Sequence, residues 1–445
     1  MESKNFTYKY LKFVSFSGLE LWDTKRYNSK KVNSSFDLKQ LYNCIIEQST
    51  KYKIFEEKET EFKILGVNNK EGIFDAYILK GKDINQPYKK MQSGWIAYNP
   101  YRINVGSIGI KLNEHKYEYI SPAYVVFSCK ENLLPEYLFM IFKTELFNNI
   151  IKESTTGSVR QNLTFDSLKK LQIPLPSLEE QNRLVENYAN KIKVAEELEQ
   201  EAGQLEHEIE NYLLEELGVE KQMEEKKQPG KLIFFHLKKV DRWDVWNKKN
   251  INSSNIFLNK ILDDVIIGKP MYGANVKGVK IKSDTRYIRI TDINENGDLN
   301  NDFIYPEVTE EKYLLENNDF LIARSGNTVG KTFLYKKEHG KAIFAGYLVK
   351  YKLNNKVILP EYLLIFSKSK IFKDWVLANQ RISGQPNING QEFLKSPIII
   401  PPLEKQKEIV AYITNLKNKI KKLHILAKKN REEAIKEFEQ EIFNS

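Results

Sequence analysis

The sequence predicts an α+β protein built as a tandem repeat, in which a mixed globular domain is followed by a long helix, twice over. Residues 173–181 read Ile-Pro-Leu-Pro-Ser-Leu-Glu-Glu-Gln, and residues 398–406 repeat this phrase as Ile-Ile-Ile-Pro-Pro-Leu-Glu-Lys-Gln, 225 positions later. Each phrase opens a stretch with apolar residues three and four apart, which is typical of a long amphipathic helix. Short runs of β-branched and aromatic residues precede each phrase.

These observations divide the chain into four segments. We predict a first globular domain over residues 1–176, a central helix over 177–218, a second globular domain over 219–400 and a C-terminal helix over 401–445. Internal repeats take precedence over other patterns because they determine the architecture.

Further matches between the halves support a duplication. The Leu-Pro-Glu-Tyr-Leu sequence at 134–138 returns at 359–363, also 225 positions later, whereas Trp-Asp at 22–23 returns at 243–244, only 221 positions later. We align the glycines of 106–109 with those of 326–330, and a single four-residue slip then accounts for the difference in offset.

Within the first domain, residues 14–16, 62–67, 72–79 and 124–128 are predicted to be strands. Residues 135–151 place apolar side chains at helical spacing after a proline, which predicts one amphipathic helix.

The two long helices are predicted to form an antiparallel coiled coil. The apolar residues of the central helix step by three or four, and the seam of the C-terminal helix alternates steps of four and three, which is the coiled-coil period. Ser177 is a suitable N-cap and Gly218 a suitable terminator for the central helix. The acidic stretch 196–216 would complement the basic stretch 417–431, which favours antiparallel over parallel pairing.

Composition and charge narrow the function. The net charge is +10; residues 178–217 carry −9 and residues 403–445 carry +3, so the rest of the chain carries +16. A surplus of this size on the globular domains suggests a polyanionic partner, most simply double-stranded DNA. Apolar runs fall short of the roughly 20 residues of a membrane span, and two cysteines fit a reducing compartment, so we expect a cytoplasmic protein.

Two tempting motifs do not meet the requirements of an enzyme site. Residues 325–332 (Ser-Gly-Asn-Thr-Val-Gly-Lys-Thr) resemble a phosphate-binding P-loop, but only three residues separate the glycines and a strand is predicted to follow. Asn-Pro-Tyr at 99–101 resembles the Asn-Pro-Pro-Tyr motif of amino-methyltransferases, but no glycine-rich cofactor loop accompanies it. We identify no catalytic residues and no metal ligands.

Candidate DNA contacts lie in turn-rich stretches of both halves. Arginine, asparagine and glutamine can pair bidentately with guanine or adenine edges, while features shared by both repeats are expected to hold phosphate or shape the backbone. Base reading should therefore occur where the halves differ. The candidates are Tyr98, Asn99, Arg102, Arg160, Gln161, Asn162, Arg286, Arg289, Arg324, Ser325, Asn327, Lys331, Gln385 and Asn387.

With these residues in place, the whole chain resembles the specificity subunit of type I restriction–modification systems. The resemblance rests on the paired phrases at 173–181 and 398–406, on Arg-Tyr-Ile-Arg-Ile-Thr-Asp-Ile at 286–293, on residues 325–331 and on residues 157–162. Residues 65–69 of the first half depart from the second half and resemble other recognition domains of the family.

The resemblance implies a subunit without catalysis of its own. Each globular domain would be a target-recognition domain for one half of a bipartite DNA site. The helices would set the spacing and dock two methyltransferase subunits, and motor-nuclease subunits would join in the full complex. This chain would bind no cofactor; S-adenosylmethionine is expected in the partner methyltransferase.

Three alternatives stay open at this stage. A type II-like or other phage-defence methylation system lacking the nuclease would use the same architecture. A fusion to a methyltransferase or nuclease would require catalytic motifs, and a coiled-coil scaffold would not require +16 on the globular domains.

Overall fold

The computed structural model describes residues 32–154, 162–219, 259–381 and 385–443. The chain forms two compact units, Met1–Glu199 with Ile425–Ser445, and Gln200–His424. The predicted strand at 14–16 and the Trp-Asp pairs at 22–23 and 243–244 lie outside the described residues.

The first unit contains eleven described strands arranged in three sheets. Strands β2, β10, β7 and β8 form a four-stranded sheet in that order, β1 pairs with β11, and β3, β6, β9, β4 and β5 form a five-stranded sheet. The predicted strands at 62–67, 72–79 and 124–128 are confirmed as β4, β5 and β10. The strands are β1 (Leu38–Gln40), β2 (Ile45–Glu47), β3 (Lys51–Tyr52), β4 (Glu61–Asn68), β5 (Gly72–Lys80), β6 (Tyr88–Lys90), β7 (Ile96–Tyr98), β8 (Ile108–Ile110), β9 (Tyr119–Ile120), β10 (Val125–Cys129) and β11 (Gln172–Pro174).

The predicted helix over 135–151 is wrong as a single element. It is two helices, α1 (Pro135–Lys143) and α2 (Glu145–Ser154), separated at Thr144. Thr144 has extended backbone angles, φ −67° and ψ 150°, which no helix can continue through. Its fully buried hydroxyl donates to the Ile141 carbonyl and accepts from the Phe147 amide, so the break is hydrogen-bonded on both sides. Helix α3 (Phe165–Lys169) and the long helix α4 (Leu178–Glu216) follow.

The second unit repeats this plan. Strands β13, β20, β17 and β18 form a four-stranded sheet, β12 pairs with β21, and the pairs β14–β16 and β15–β19 replace the five-stranded sheet. The elements are β12 (Asn259–Ile261), β13 (Ile266–Tyr272), β14 (Gly278–Val279), β15 (Arg286–Ile288), β16 (Tyr305–Pro306), β17 (Phe320–Ala323), β18 (Thr332–Leu334), β19 (Ala342–Phe344), β20 (Leu348–Leu353), α5 (Pro360–Phe366), α6 (Lys370–Asn379), α7 (Gly390–Phe393), β21 (Pro397–Ile399) and α8 (Leu403–Ile442).

The strand registers show that the two units share one backbone arrangement. We call it the repeated frame; it consists of the four-stranded sheet, the β1–β11 or β12–β21 pair, and the helices that follow. The β7–β8 pairing of Ile96 with Ile110 recurs as the β17–β18 pairing of Phe320 with Leu334, 224 positions later. The predicted single slip of four is therefore wrong. The offset is 221 at β1 and β2, 224 at β7, β8 and β10, and 225 from α1 onward. Gly106 consequently corresponds to Gly330.

A buried glutamine joins each long helix to its own domain. The Gln181 side chain donates to the carbonyls of Asn132 and Pro176 and accepts from the Leu134 amide. Gln406 makes the same three bonds to the residues 225 positions later. Both side chains are fully buried, so the last residue of each repeated phrase anchors the helix that the phrase opens.

The predicted antiparallel pairing of the long helices is confirmed within each unit. In the first unit, Glu199 of α4 pairs with Arg431 of α8 at 2.8 Å, and Lys191 pairs with Glu437 at 2.5 Å. In the second unit, Tyr212 of α4 stacks on Tyr412 of α8 with ring centroids 4.1 Å apart, and Glu216, further along α4, pairs with Lys405, earlier on α8. Contacts that run early-to-late along one helix and late-to-early along the other require opposite directions.

The predicted apolar seams are buried or partly buried. On α4, Ala195 and Ala202 are inaccessible to solvent, and the other predicted seam residues are partly buried. On α8, six predicted seam residues are buried and the other two are partly buried; the buried ones are Ile409, Ile413, Leu416, Ile420, Ala427 and Ala434. None of the described helices has the length and apolar character that a membrane span requires.

Candidate nucleic-acid interface

In the second unit the candidate residues gather around the turn of residues 324–331, between β17 and β18. A short 3-10 segment, Gly326–Thr328, forms its apex. Gly326 and Gly330 have φ angles of 71° and 85°, which glycine adopts without strain. A strand follows the turn, as predicted, so the helix N-terminus that holds phosphate in a P-loop is missing here.

A second segment, residues 385–388, runs beside this turn. The Ile388 amide donates to the Arg324 carbonyl at 3.0 Å, and the Gly326 amide donates to the Pro386 carbonyl at 2.9 Å. Ser325 and Asn387 form an antiparallel bridge. This pairing brings Arg324, Gln385, Asn387 and the exposed Asn327 into two adjacent segments, although the sequence places the segments about 60 positions apart.

Two tyrosines hold the Arg324 guanidinium at this surface. Its central carbon lies 5.0 Å from the ring centroid of Tyr272 and 5.8 Å from that of Tyr347, and its Nε donates to the Gly346 carbonyl at 3.1 Å. The two tyrosines are 41% and 55% exposed. The arrangement is a planar cation with restricted rotation between accessible aromatic rings, which suits both phosphate binding and base recognition.

Several other candidates of this unit have structural roles instead. Arg286 is buried at 7% exposure, donates to the Asn300 carbonyl and stacks on Phe303 at 4.2 Å. Burial lowers its pKa, because the charged form loses hydration. Its side chain does not reach a surface where DNA could contact it, and we withdraw it as a candidate.

Two more candidate residues of this unit form ion pairs within the protein. Arg289 pairs with Asp292, a fully buried carboxylate, at 2.7 Å, and the pKa of Arg289 is raised chiefly by that hydrogen bond. Lys331 pairs with Glu295 at 2.8 Å, and the pKa of the carboxyl is lowered by the bond. Both cations are partly neutralised, which reduces their use to a phosphate. The Ser325 residue is 3% exposed and contributes through its backbone bridge.

The first unit carries the equivalent turn over residues 99–107, but its side chains differ. The Leu163 amide donates to the Pro100 carbonyl at 3.0 Å, the counterpart of the Ile388–Arg324 bond. Tyr98 is fully buried and its hydroxyl donates to the Leu163 carbonyl; burial strongly raises its pKa. Tyr98 therefore supports the turn and we withdraw it as a DNA contact.

The exposed part of this first turn is formed by other residues. Arg102 and Tyr101 are exposed, and Asn99 accepts a bond from the Tyr101 amide through its side-chain oxygen. Asn162 is half-buried beside Leu163. Arg160 and Gln161 lie outside the described residues.

Sequence reasoning missed Tyr272 and Tyr347. Tyr272 is the last residue of β13, and Tyr347 lies in the turn directly before β20; no local pattern marks either one. The repeat alignment contained an indirect signal. At the frame offset of 224, Tyr347 corresponds to Ala123 and Arg324 to Pro100, so both positions differ between halves that otherwise share their backbone.

Comparisons with known proteins agree with this architecture. A family profile described as "Type I restriction modification DNA specificity domain" matches residues 31–206 and 244–431. The chain is 23% identical over 282 residues to the type I restriction enzyme EcoKI specificity subunit of Escherichia coli (strain K12), covering 62% of this chain and 56% of that protein. It is 20% identical over 277 residues to the EcoBI specificity subunit of Escherichia coli, covering 60% and 56%. The chain thus matches little more than half the length of these relatives.

A solved structure from a study of complex assembly and conformational transition of the type I R-M system superposes with a TM-score of 0.57 at 15% identity, covering 92% of this chain and 97% of that one. At this identity the likeness supports the fold alone. The named relatives are type I specificity subunits, so the type II-like or other phage-defence alternative is not favoured.

Proposed function

The chain belongs to the family of type I restriction–modification DNA specificity domains, and we propose that it is the sequence-specificity subunit of such a system. In this proposal each globular domain reads one half of a bipartite double-stranded DNA site. The two long helices set the distance between the half-sites.

One observation carries the proposal: the same backbone frame occurs twice and presents different side chains at the same place. The hydrogen bonds from Leu163 to Pro100 and from Ile388 to Arg324 are equivalent, yet proline and arginine stand at the corresponding positions. Two globular domains that share a backbone can use common side chains to contact phosphate and differing side chains to contact the bases. Linking them also multiplies their affinities, because the second binding event becomes intramolecular.

The proposal assigns chemistry to the partners and recognition to this chain. Two methyltransferase subunits would dock on the helices and carry S-adenosylmethionine, and motor-nuclease subunits would join where the system also cleaves. Methylation requires an adenine to be flipped out of the duplex, so the DNA must be held in a defined position. The side chains at the two turns supply hydrogen-bond donors and positive charge, which are the groups that hold DNA. The complex would act in the cytoplasm.

A selection experiment tests this function. The purified chain, assembled with a type I methyltransferase subunit, is mixed with duplexes of random sequence, and the bound fraction is sequenced. We expect two short constant blocks separated by a gap of constant length. A single uninterrupted block, or no enrichment from an assembled complex, would contradict the proposal that each globular domain reads one half-site.

A further inference from the structure

We propose that Arg324 is a specificity-determining residue of the second domain and that it reads a guanine in the half-site of that domain. This inference rests on the proposed function, because it names a base contact made by the same DNA-facing turn.

The geometry prepares the guanidinium for a bidentate contact. Its Nε is occupied by the Gly346 carbonyl at 3.1 Å, and the rings of Tyr272 and Tyr347 lie at 5.0 and 5.8 Å from its central carbon. These contacts restrict the side chain, and among the described residues its terminal Nη groups have no hydrogen-bond partner, so both are available to a ligand. Two parallel donors match the O6 and N7 acceptors of guanine in the major groove, which is the commonest specific arginine contact.

The charge of Arg324 is available as well. Within the described residues, the pairs Arg289–Asp292, Lys331–Glu295 and Arg381–Glu392 neutralise other cations of this unit at 2.7 to 2.9 Å. No carboxylate among those residues lies within ion-pair distance of Arg324. A cation that is stacked but unneutralised, beside exposed aromatic rings, is suited to an anionic partner with flat faces, and DNA has both properties.

Comparison of the halves favours a base over a phosphate. A phosphate contact serves any sequence, so both halves could use the same residue for it. The first unit keeps the backbone bond but has Pro100 in place of Arg324, Ala123 in place of Tyr347 and Ser107 in place of Lys331. The whole assembly of arginine and supporting ring is therefore specific to one half, as expected of a feature that distinguishes two half-sites.

The test compares three variants of the full chain, each assembled with the methyltransferase, by selection from random duplexes and by binding at several salt concentrations. Arg324→Ala removes the contact, and Arg324→Lys keeps the charge but loses the planar fork. Lys352→Ala is the matched control, because this exposed cation of the same unit pairs only with Glu316 among its described contacts.

We expect Arg324→Ala and Arg324→Lys to relax the preference for guanine at one position of one half-site, by about tenfold to a hundredfold. The other half-site and the gap should stay unchanged, and Lys352→Ala should select the original site. If Arg324→Ala does not assemble, Tyr347→Ala should relax the same position by a smaller factor, since it removes one side of the support.

Two other outcomes are distinguishable. Uniform weakening across all sequences, restored by lysine and accompanied by a salt slope smaller by about 1, would identify a phosphate contact and overturn this inference while leaving the proposed function intact. Absence of any sequence preference in the unmodified complex would refute the proposed function itself.

Discussion

Replacing Gln406 by alanine should loosen the junction between α8 and its domain. The fully buried side chain donates to the carbonyls of Val357 and Pro401 at 3.1 and 2.8 Å and accepts from the Leu359 amide at 2.8 Å. Alanine removes all three bonds and leaves two carbonyls and one amide without a partner in a space that excludes solvent.

The expected magnitude follows from that count. Each hydrogen bond contributes a net of about 1 kcal/mol, and an unsatisfied buried group costs about 1–3 kcal/mol. Three unsatisfied groups therefore predict a loss of about 3 to 9 kcal/mol in the free energy of local opening. Gln181→Ala should cost the first unit a similar amount, because its three bonds of 2.9, 3.1 and 2.9 Å are equivalent.

Hydrogen exchange at the Leu359 amide measures this effect directly, because its acceptor is the side chain that the substitution removes. Gln406→Met, which keeps the volume, separates the loss of hydrogen bonds from the cavity. Exposed Gln204, on α4 of the same unit, gives the control Gln204→Ala. A change below 1 kcal/mol in Gln406→Ala would refute the role assigned to the buried glutamine.

Three further predictions concern backbone strain, pH and spacing. Gly330→Ala should destabilise the chain by about 2–4 kcal/mol, because an added Cβ would lie 2.8 Å from Val376 at a φ of 85°. In Gly106→Ala, with a φ of 88°, the nearest atom lies 3.7 Å from the added Cβ, so the loss should be only about 1–2 kcal/mol. Equal losses of unfolding free energy in urea would contradict the packing argument. Burial lowers the pKa of Lys368 from 10.5 to about 7. Between these two pH values the unfolded chain binds a proton that the folded chain lacks. The free energy of unfolding should therefore rise with pH from about 7 upward. Lys368→Met should flatten the rise in melting temperature between pH 6.5 and 9, with a remainder from Lys417, whose pKa burial also lowers; an unchanged slope would exclude Lys368 as its source. Inserting seven residues into both α4 and α8 keeps their apolar seams in phase and lengthens each helix by about 10 Å. The gap between the two selected half-sites should then lengthen by up to about three base pairs. An unaltered gap would rule out spacing by the helices.

The architecture could be predicted from the sequence because the strongest signals in the sequence are local or periodic. The seam of α8, with Ile409 and Ile413, follows from residue spacing alone, and the capping residue Ser177 accepts a bond from the Glu180 amide as the phrase predicts. The break at Thr144 was not predictable in this way, because apolar spacing continues across it. The extended conformation of Thr144 is accompanied by burial of its hydroxyl and by local hydrogen bonds to residues 141 and 147. The repeat offset was likewise misplaced, since only strand register separates a slip of four into steps of three and one.

The arrangement of the candidate interface was predictable in part. Arg324, Gln385 and Asn387 were proposed from residue type and position, and the backbone bridge between residues 325 and 387 explains how their two segments come to lie side by side. Whether a candidate is exposed or buried depends on long-range packing, and so Tyr98 and Arg286 were proposed although both are buried. Of the tyrosines that support Arg324, Tyr272 ends strand β13 and Tyr347 lies in the turn before β20, and no local pattern encodes the proximity of these two segments.

A genome-wide map of methylated adenines, in cells that express this chain with a type I methyltransferase subunit, would show whether one chain reads two different half-sites. We expect a bipartite motif in which two different short sequences are separated by a gap of constant length. A single continuous motif, or two identical half-sites, would contradict the claim that one repeated frame presents two different reading surfaces. No methylation from an assembled complex would instead indicate a scaffold or a DNA-binding role without modification.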